Sequence, residues 1–247
     1  MQMKFMAVVA MVLVTSLAQA ATFPASISRD PLMQGEVSDR LSVGVGYDRI
    51  DRDIKFSRGR GTAALQADSI SAYIGYSAPR WLTTFVTAGG TSLRGDQWGS
   101  TDYALRLSAG VNAYLWEGDV LAPAFAAGRI SIKGTAELAR HAVKTDAGNS
   151  DWFELIAALP IGYEIFDRYP TAKSGVSTSL ALYVGPAVSL IDGSLAVAPG
   201  MKQGFRQDQM LGAVAGADIY FAPSVSVGFK VLIFDQVTTG ASLRFHF

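Results

Sequence analysis

From Leu41 to the last residue, the chain keeps returning to a two-residue rhythm. Leu41, Val43, Val45 and Tyr47 alternate with Ser42, Gly44, Gly46 and Asp48. Ile70, Ala72, Ile74 and Tyr76 alternate with Ser69, Ser71, Tyr73 and Gly75. The longest series is Tyr103, Leu105, Leu107, Ala109, Val111, Ala113 and Leu115, with Arg106, Ser108, Gly110 and Asn112 among the residues between. Odd positions carry the pattern again from Phe153 to Ile165 and from Leu211 to Phe221, and even positions carry it from Leu180 to Leu190. The chain ends on Val237, Thr239, Ala241, Leu243, Phe245 and Phe247, opposed by Thr238, Gly240, Ser242, Arg244 and His246. A period of two puts alternate side chains on opposite faces of a strand, and its recurrence predicts an all-β fold.

Turn residues punctuate the runs. Ser77-Ala78-Pro79-Arg80, Trp116-Glu117-Gly118-Asp119 and Phe221-Ala222-Pro223-Ser224 are short and carry Pro or Gly. Between them lie longer polar stretches, read as loops: 51–66, 91–101, 133–150 and 191–203. The count is ten strands, near 41–55, 66–77, 81–91, 102–116, 119–133, 151–166, 176–190, 205–221, 224–234 and 237–247, with eight as the alternative. The 166–175 connection is long for a turn, and Asp235-Gln236 is short for a loop.

The residues on the polar face decide which solvent surrounds such a barrel. A soluble exterior is rich in Lys, Glu and Thr, as a lipocalin-like binder would require. Here that face is mostly Gly, Ser and Ala, which fit the crowded inside of a narrow barrel, while Leu, Val, Ile and Phe face outward as lipid requires. Mean hydropathy is +0.24, yet no later apolar run reaches the roughly 20 residues of a membrane helix. The reading is a membrane-spanning antiparallel up-and-down β-barrel. Two segments leave the facing open. Trp81 to Gly90 is apolar on both faces, and in Val120 to Ile132 the even positions are assigned outward because Arg129 and Lys133 would otherwise meet lipid. Tyr47, Tyr76, Trp81, Trp116, Tyr163, Phe221, Phe245 and Phe247 lie near predicted strand ends, where interfacial girdles form.

The N-terminus supplies an address. Met1 to Lys4 carry one positive charge, Phe5 to Leu17 are apolar, and Ala18-Gln19-Ala20 is a small-x-small cleavage site. This predicts a cleaved signal peptide over 1–20, a periplasmic segment over 21–39 and a barrel over 40–247. The 247 residues include no cysteine, so neither a disulfide framework nor thiol chemistry is available. Formal net charge is zero, with 21 basic and 21 acidic residues, which gives no reason to expect nucleic acid. No cofactor or metal is expected, since no His/Cys cluster is present and Gly44-x-Gly46 lies within a strand.

Seven charged residues fall on the inward face: Arg106, Arg129, Glu154, Glu164, Asp218, Lys230 and Arg244. A barrel of eight to ten strands is largely filled by its own side chains, which favours a paired network over a selectivity ring. Partners for Arg106 are sought in Glu154 or Asp218. A catalytic alternative centres on His141 in the 133–150 loop, near Asp146, Ser150 and Asp151. Ser57-Arg58-Gly59-Arg60-Gly61 is a small basic patch that would suit lipopolysaccharide phosphates.

The alternating strands, the signal peptide and Leu243-Arg244-Phe245-His246-Phe247 resemble the small outer-membrane barrels grouped with the OmpA transmembrane domain and the opacity proteins. The resemblance implies an outer-membrane location, contact with outer-membrane lipid including lipopolysaccharide, and Leu243, Phe245 and Phe247 as the signal read by the barrel-assembly machinery. No motif of the omptin proteases, lipid A deacylases or palmitoyl transferases can be matched residue by residue. Three functions follow: a non-enzymatic envelope barrel whose external loops bind a partner, a small channel, or a loop-borne hydrolase.

Overall fold

The computed structural model describes residues 40–57, 61–77, 81–94, 101–120, 128–166, 179–222 and 224–247. The signal peptide and the 21–39 segment lie outside them, as do Arg58 to Arg60 of the basic patch and most of the 166–175 connection. Among the described residues all regular structure is β: β1 (Leu41–Phe56), β2 (Thr62–Tyr76), β3 (Leu82–Leu93), β4 (Thr101–Asp102), β5 (Ala104–Val120), β6 (Gly128–Thr145), β7 (Gly148–Ala158), β8 (Ile161–Phe166), β9 (Ser179–Ala198), β10 (Met201–Gln207), β11 (Leu211–Ala222), β12 (Val225–Ile233) and β13 (Val237–His246).

Every pairing is antiparallel and the sheet closes on itself, β1 pairing with β2 on one side and with β13 and β10 on the other. Two pairs of segments are single wall strands interrupted once. Pro160, which has no N–H to donate, separates β7 from β8, although Lys133 N–H still reaches its carbonyl at 3.0 Å. Residues 208–210 separate β10 from β11. Following Cα partners from Gly46 through Ser71, Gly89, Arg106, His141, Trp152, Gly193 and Phe205 returns to β1 at Phe56 rather than at Gly46. That stagger tilts the strands against the barrel axis.

The strand count depends on height. At the end that carries both termini of the barrel, the ring is β1, β2, β3, β5, β6, β8, β9, β11, β12 and β13, ten strands among the described residues. At the far end the β12–β13 hairpin stops at Ile233 and Val237, and β10 closes directly onto β1 at Ile54, Lys55 and Phe56. The ring there runs β1, β2, β3, β4–β5, β6, β7, β9 and β10. Both the ten-strand reading and its eight-strand alternative describe part of one wall.

The handover leaves Ile50 to Asp53 between two partner strands, and side chains fill the gap. Asp51 N–H donates to Thr238 Oγ1 at 3.2 Å and Asp53 N–H to Asp235 Oδ2 at 2.9 Å. Arg52, fully buried, donates to Asp51 O at 2.8 Å and to Thr238 Oγ1, and lies 4.5 Å from the Phe234 ring centroid.

The strands are longer than the sequence suggested. The 133–150 stretch is the end of β6, a turn at Asp146-Ala147 and the start of β7; 191–203 is mostly β9 and β10, closed by Pro199 and by Gly200 at φ 76°. β1 continues to Phe56, β2 begins at Thr62 and β3 reaches Leu93. The turn expected at Trp116–Asp119 is instead strand: β5 runs to Val120 with a bulge between Tyr114 and Trp116.

Facing follows the predicted parity. Val45, Ile74, Leu107, Val111, Leu182, Val184 and Leu243 are exposed, forming an apolar outer belt, while Ser42, Asp48, Ser71 and Arg106 point inward. The two open segments resolve with Phe85, Thr87 and Thr91 inside, Val86 outside, and Ile130 and Ile132 on the outward parity of β6. Toward the far end the chemistry of the two faces exchanges while the parity holds. On β1 the outward residues become Arg49, Asp51, Asp53 and Lys55, and Ile50 and Ile54 turn inward. On β9 Asp192 follows Leu190 outside, and Ile191 and Leu195 lie inside. Leu65, Trp152 and Phe205 join these inward residues in one buried apolar cluster. In the belt the barrel is arranged for lipid outside, and beyond it for water outside, each face meeting the solvent it suits.

Candidate functional site

Among the described residues the lumen gathers buried charged side chains, and three layers occupy it. Nearest the termini, His246 Nε2 lies 2.8 Å from Ser226 Oγ, Ser179 Oγ donates to Glu164 at 2.9 Å, and the Arg244 guanidinium lies 4.9 Å from the Tyr73 ring centroid. Asp218 is buried at this level on β11. Arg129, inward by parity, bonds Asp119 at 2.9 Å on a mostly exposed carboxylate, so it belongs to the rim.

The middle layer holds the charge network. Arg106 donates to Glu137 Oε1 at 3.0 Å and to Thr87 Oγ1 at 2.8 Å. Its ion-pair partner is therefore Glu137, on the neighbouring strand, rather than Glu154 or Asp218. Glu154 faces Arg52 Nη2 at 3.9 Å and His141 Nε2 at 3.4 Å. Lys230 and Asp48 line the same space. Three acids (Asp48, Glu137, Glu154) stand against three bases (Arg52, Arg106, Lys230), so the buried layer carries no net charge when His141 is neutral. A cavity of about 10 Å³ remains among them, room for about one water.

His141 lies on β6, fully buried, and not in a loop. Its Nδ1 is 3.0 Å from Thr91 Oγ1, and its ring stacks on Trp152 with centroids 4.8 Å apart. The acids and hydroxyl near it in sequence are scattered by the hairpin. Asp146 sits in the turn, Ser150 is buried and accepts from Ala196 N–H at 2.9 Å, and Asp151 faces outward toward Lys202 at 3.5 Å. Hydroxyl, imidazole and carboxylate do line up as Thr91, His141 and Glu154, but each is buried, under the far-end apolar cluster. Asp48, Arg52, Glu137 and His141 complete the network, and none of them is among the seven inward charges expected from the sequence. The parity signal was there for all four: Asp48 and Arg52 share the inward parity of Ser42, and Glu137 and His141 share that of Arg129.

The terminal strand carries the expected facing. Leu243, Phe245 and Phe247 are exposed, and Tyr76, Trp81, Trp116 and Phe221 are exposed near the same end. Phe247 also closes the barrel: its N–H donates to Leu41 O at 2.8 Å, and Leu41 N–H to Phe247 O at 3.1 Å. Deleting Phe247 is expected to reduce the folded, heat-modifiable fraction in membranes, because an aromatic anchor and two closing hydrogen bonds go together. Gel-shift assays on membrane fractions measure this, and an unchanged folded fraction would contradict it.

A closed antiparallel barrel of about ten strands, with an apolar belt outside and a charged, filled lumen, is the architecture of the outer-membrane β-barrel class. No family model matches the chain, and no curated protein sequence matches it. Solved structures similar to it include the outer membrane protease OmpT from Escherichia coli, at 10% identity, covering 87% of this chain and 99% of that one with a TM-score of 0.41. The Acinetobacter baumannii outer membrane protein Omp33 matches at 10% identity, covering 86% of this chain and 100% of that one with a TM-score of 0.25. A mutant of the Rh. blastica porin matches at 13% identity, over 84% and 100%, with a TM-score of 0.15. The fold assignment rests on the strand pairing and facing described above.

Proposed function

We propose that this chain is an outer-membrane barrel that neither conducts nor catalyses, with its far end outside the cell as the surface available to a partner. The observation that carries the reading is how fully the described side chains fill the lumen. A charge-balanced layer with room for about one water lies beneath a layer of packed apolar side chains. An ion crossing it would have to break buried ion pairs and then pass a layer of packed apolar side chains, which costs several kcal/mol at each step. The hydrolase reading needs an entry path to His141, and its full burial counts against that path. The far-end faces support an external role, because charged side chains cover the wall once it leaves the belt and would suit water rather than lipid.

The test is conductance in planar bilayers with folded protein. Wild type is expected to be silent at moderate voltage, and a steady unitary conductance would overturn the reading in favour of a small channel. Cleaved export and contact with the assembly machinery and lipopolysaccharide belong to the same proposal.

A further inference from the structure

On the outside of the far half, cations come with acids. Arg49 lies 3.4 Å from Asp51, Arg94 lies 2.9 Å from Asp51 and 3.1 Å from Asp68, Lys202 lies 3.5 Å from Asp151, and Arg206 lies 2.7 Å from Asp192. Lys55 pairs with Asp208. Lys144 has Asp102 as its ladder partner on β4. Arg140 is different. It faces outward on β6 between the buried Ala139 and His141, and its ladder partners are Leu107 on β5 and Phe153 on β7, both exposed. Among the described residues no carboxylate lies within ion-pair distance of it. Its recorded contact is with the Phe153 ring, 5.8 Å from the guanidinium to the centroid. Leu105, Leu138 and Leu155 are exposed around it.

An arginine that faces outward in an apolar surround needs an anion from the surrounding medium, or it must reach for water. Its height supplies the anion. Leu107 and Leu138 belong to the apolar belt, whereas Ala142, the next outward position of β6, has Asp151 as its ladder partner, and Lys144, the one after it, belongs to the charged zone. Arg140 therefore stands at the boundary between hydrocarbon and headgroups. We propose that Arg140 is a binding site for the phosphate of an anionic lipid in the outer leaflet, whose acyl chains lie on Leu107, Leu138 and Phe153. The planar fork of the guanidinium suits a phosphate in two-pronged hydrogen bonding, and Lys144 adds a second cation further out. The site rests on the outer-membrane reading above and assigns it a specific lipid contact.

The test uses the folded protein in zwitterionic phospholipid vesicles doped with a spin-labelled phosphatidic acid or a spin-labelled phosphatidylcholine. Electron spin resonance then gives the relative association constant of each lipid with the barrel wall. Wild type is expected to prefer the phosphomonoester lipid, and Arg140→Gln is expected to lower that preference by about five-fold. Arg206→Gln, which removes an equal charge from a cation already paired, should leave it nearly unchanged. Equal loss in both variants would reduce the effect to net charge, and no preference in wild type would remove the site. Inorganic phosphate that raised the thermal stability of detergent-solubilised wild type but not of Arg140→Gln would assign Arg140 to a soluble anion instead. An oligomer that Arg140→Gln dissolves would assign it to a carboxylate on a second copy. Failure of the wild-type protein to insert into any vesicle would instead sink the outer-membrane reading itself, and it is scored separately by heat-modifiability.

Discussion

Replacing Arg106 with Leu is expected to destabilise the folded barrel by about 3–5 kcal/mol, because it leaves Glu137 buried without its cation. The guanidinium donates to Glu137 and Thr87 inside a layer where acids and bases balance, and Arg106 and Glu137 are each almost entirely buried. The companion change separates loss of the pair from loss of packing. In Arg106→Leu/Glu137→Leu both charges are gone, and stability should recover most of the deficit, since a buried pair replaced by apolar groups is often neutral. Equilibrium unfolding by urea in lipid vesicles measures both variants. If the double variant is as unstable as the single one, the deficit comes from packing or from Thr87 rather than from the stranded carboxylate.

The second large effect is on the other face of the same strand. Val111 is exposed midway along the outward series from Leu105 to Leu115, with Thr84 and Ala136 as ladder partners. Val111→Arg should cost about 2–4 kcal/mol, the range for an arginine facing lipid near the bilayer midplane. Leu107→Arg should cost less, because Leu107 pairs with Arg140, itself an outward charge at the edge of the belt. The same unfolding assay gives both values. Equal costs at 107 and 111 would mean that the belt extends further than the outward charges mark.

The facing of the wall was legible in the sequence over most of the zone where lipid lies outside, since one rule of alternation governs it; Trp81 to Gly90, apolar on both faces, was the exception. It was not legible beyond the belt, and the reason is physical. From Arg49 to Lys55 the outward residues become charged and the inward ones become Ile50, Arg52 and Ile54. The strand keeps its parity, but a reader who follows apolar residues sees the phase slip and writes a loop. The same exchange hid the ends of β6 and β9, and with them the placement of His141. The inward charges were readable one by one from parity, but Glu137 as the partner of Arg106 was not, because that pairing depends on the β5–β6 register.

The bulge between β10 and β11 constrains how this barrel could have acquired or could lose strands. From Arg206 to Leu211 the chain advances five residues while β9 opposite advances four, from Asp192 to Val188. Phe205 is therefore buried at an odd position, whereas Val214, Asp218 and Tyr220 are buried at even ones. Suppose the β12–β13 hairpin were cut away and β11 zipped onto β1 by extending the β10 register. Leu211 and Ala213 would then turn into the lumen and Val214 toward lipid. Evolutionary descent from an eight-stranded ancestor, or engineering toward one, would have to move the hairpin and the extra residue together. Neither change alone yields a barrel with its oily side out.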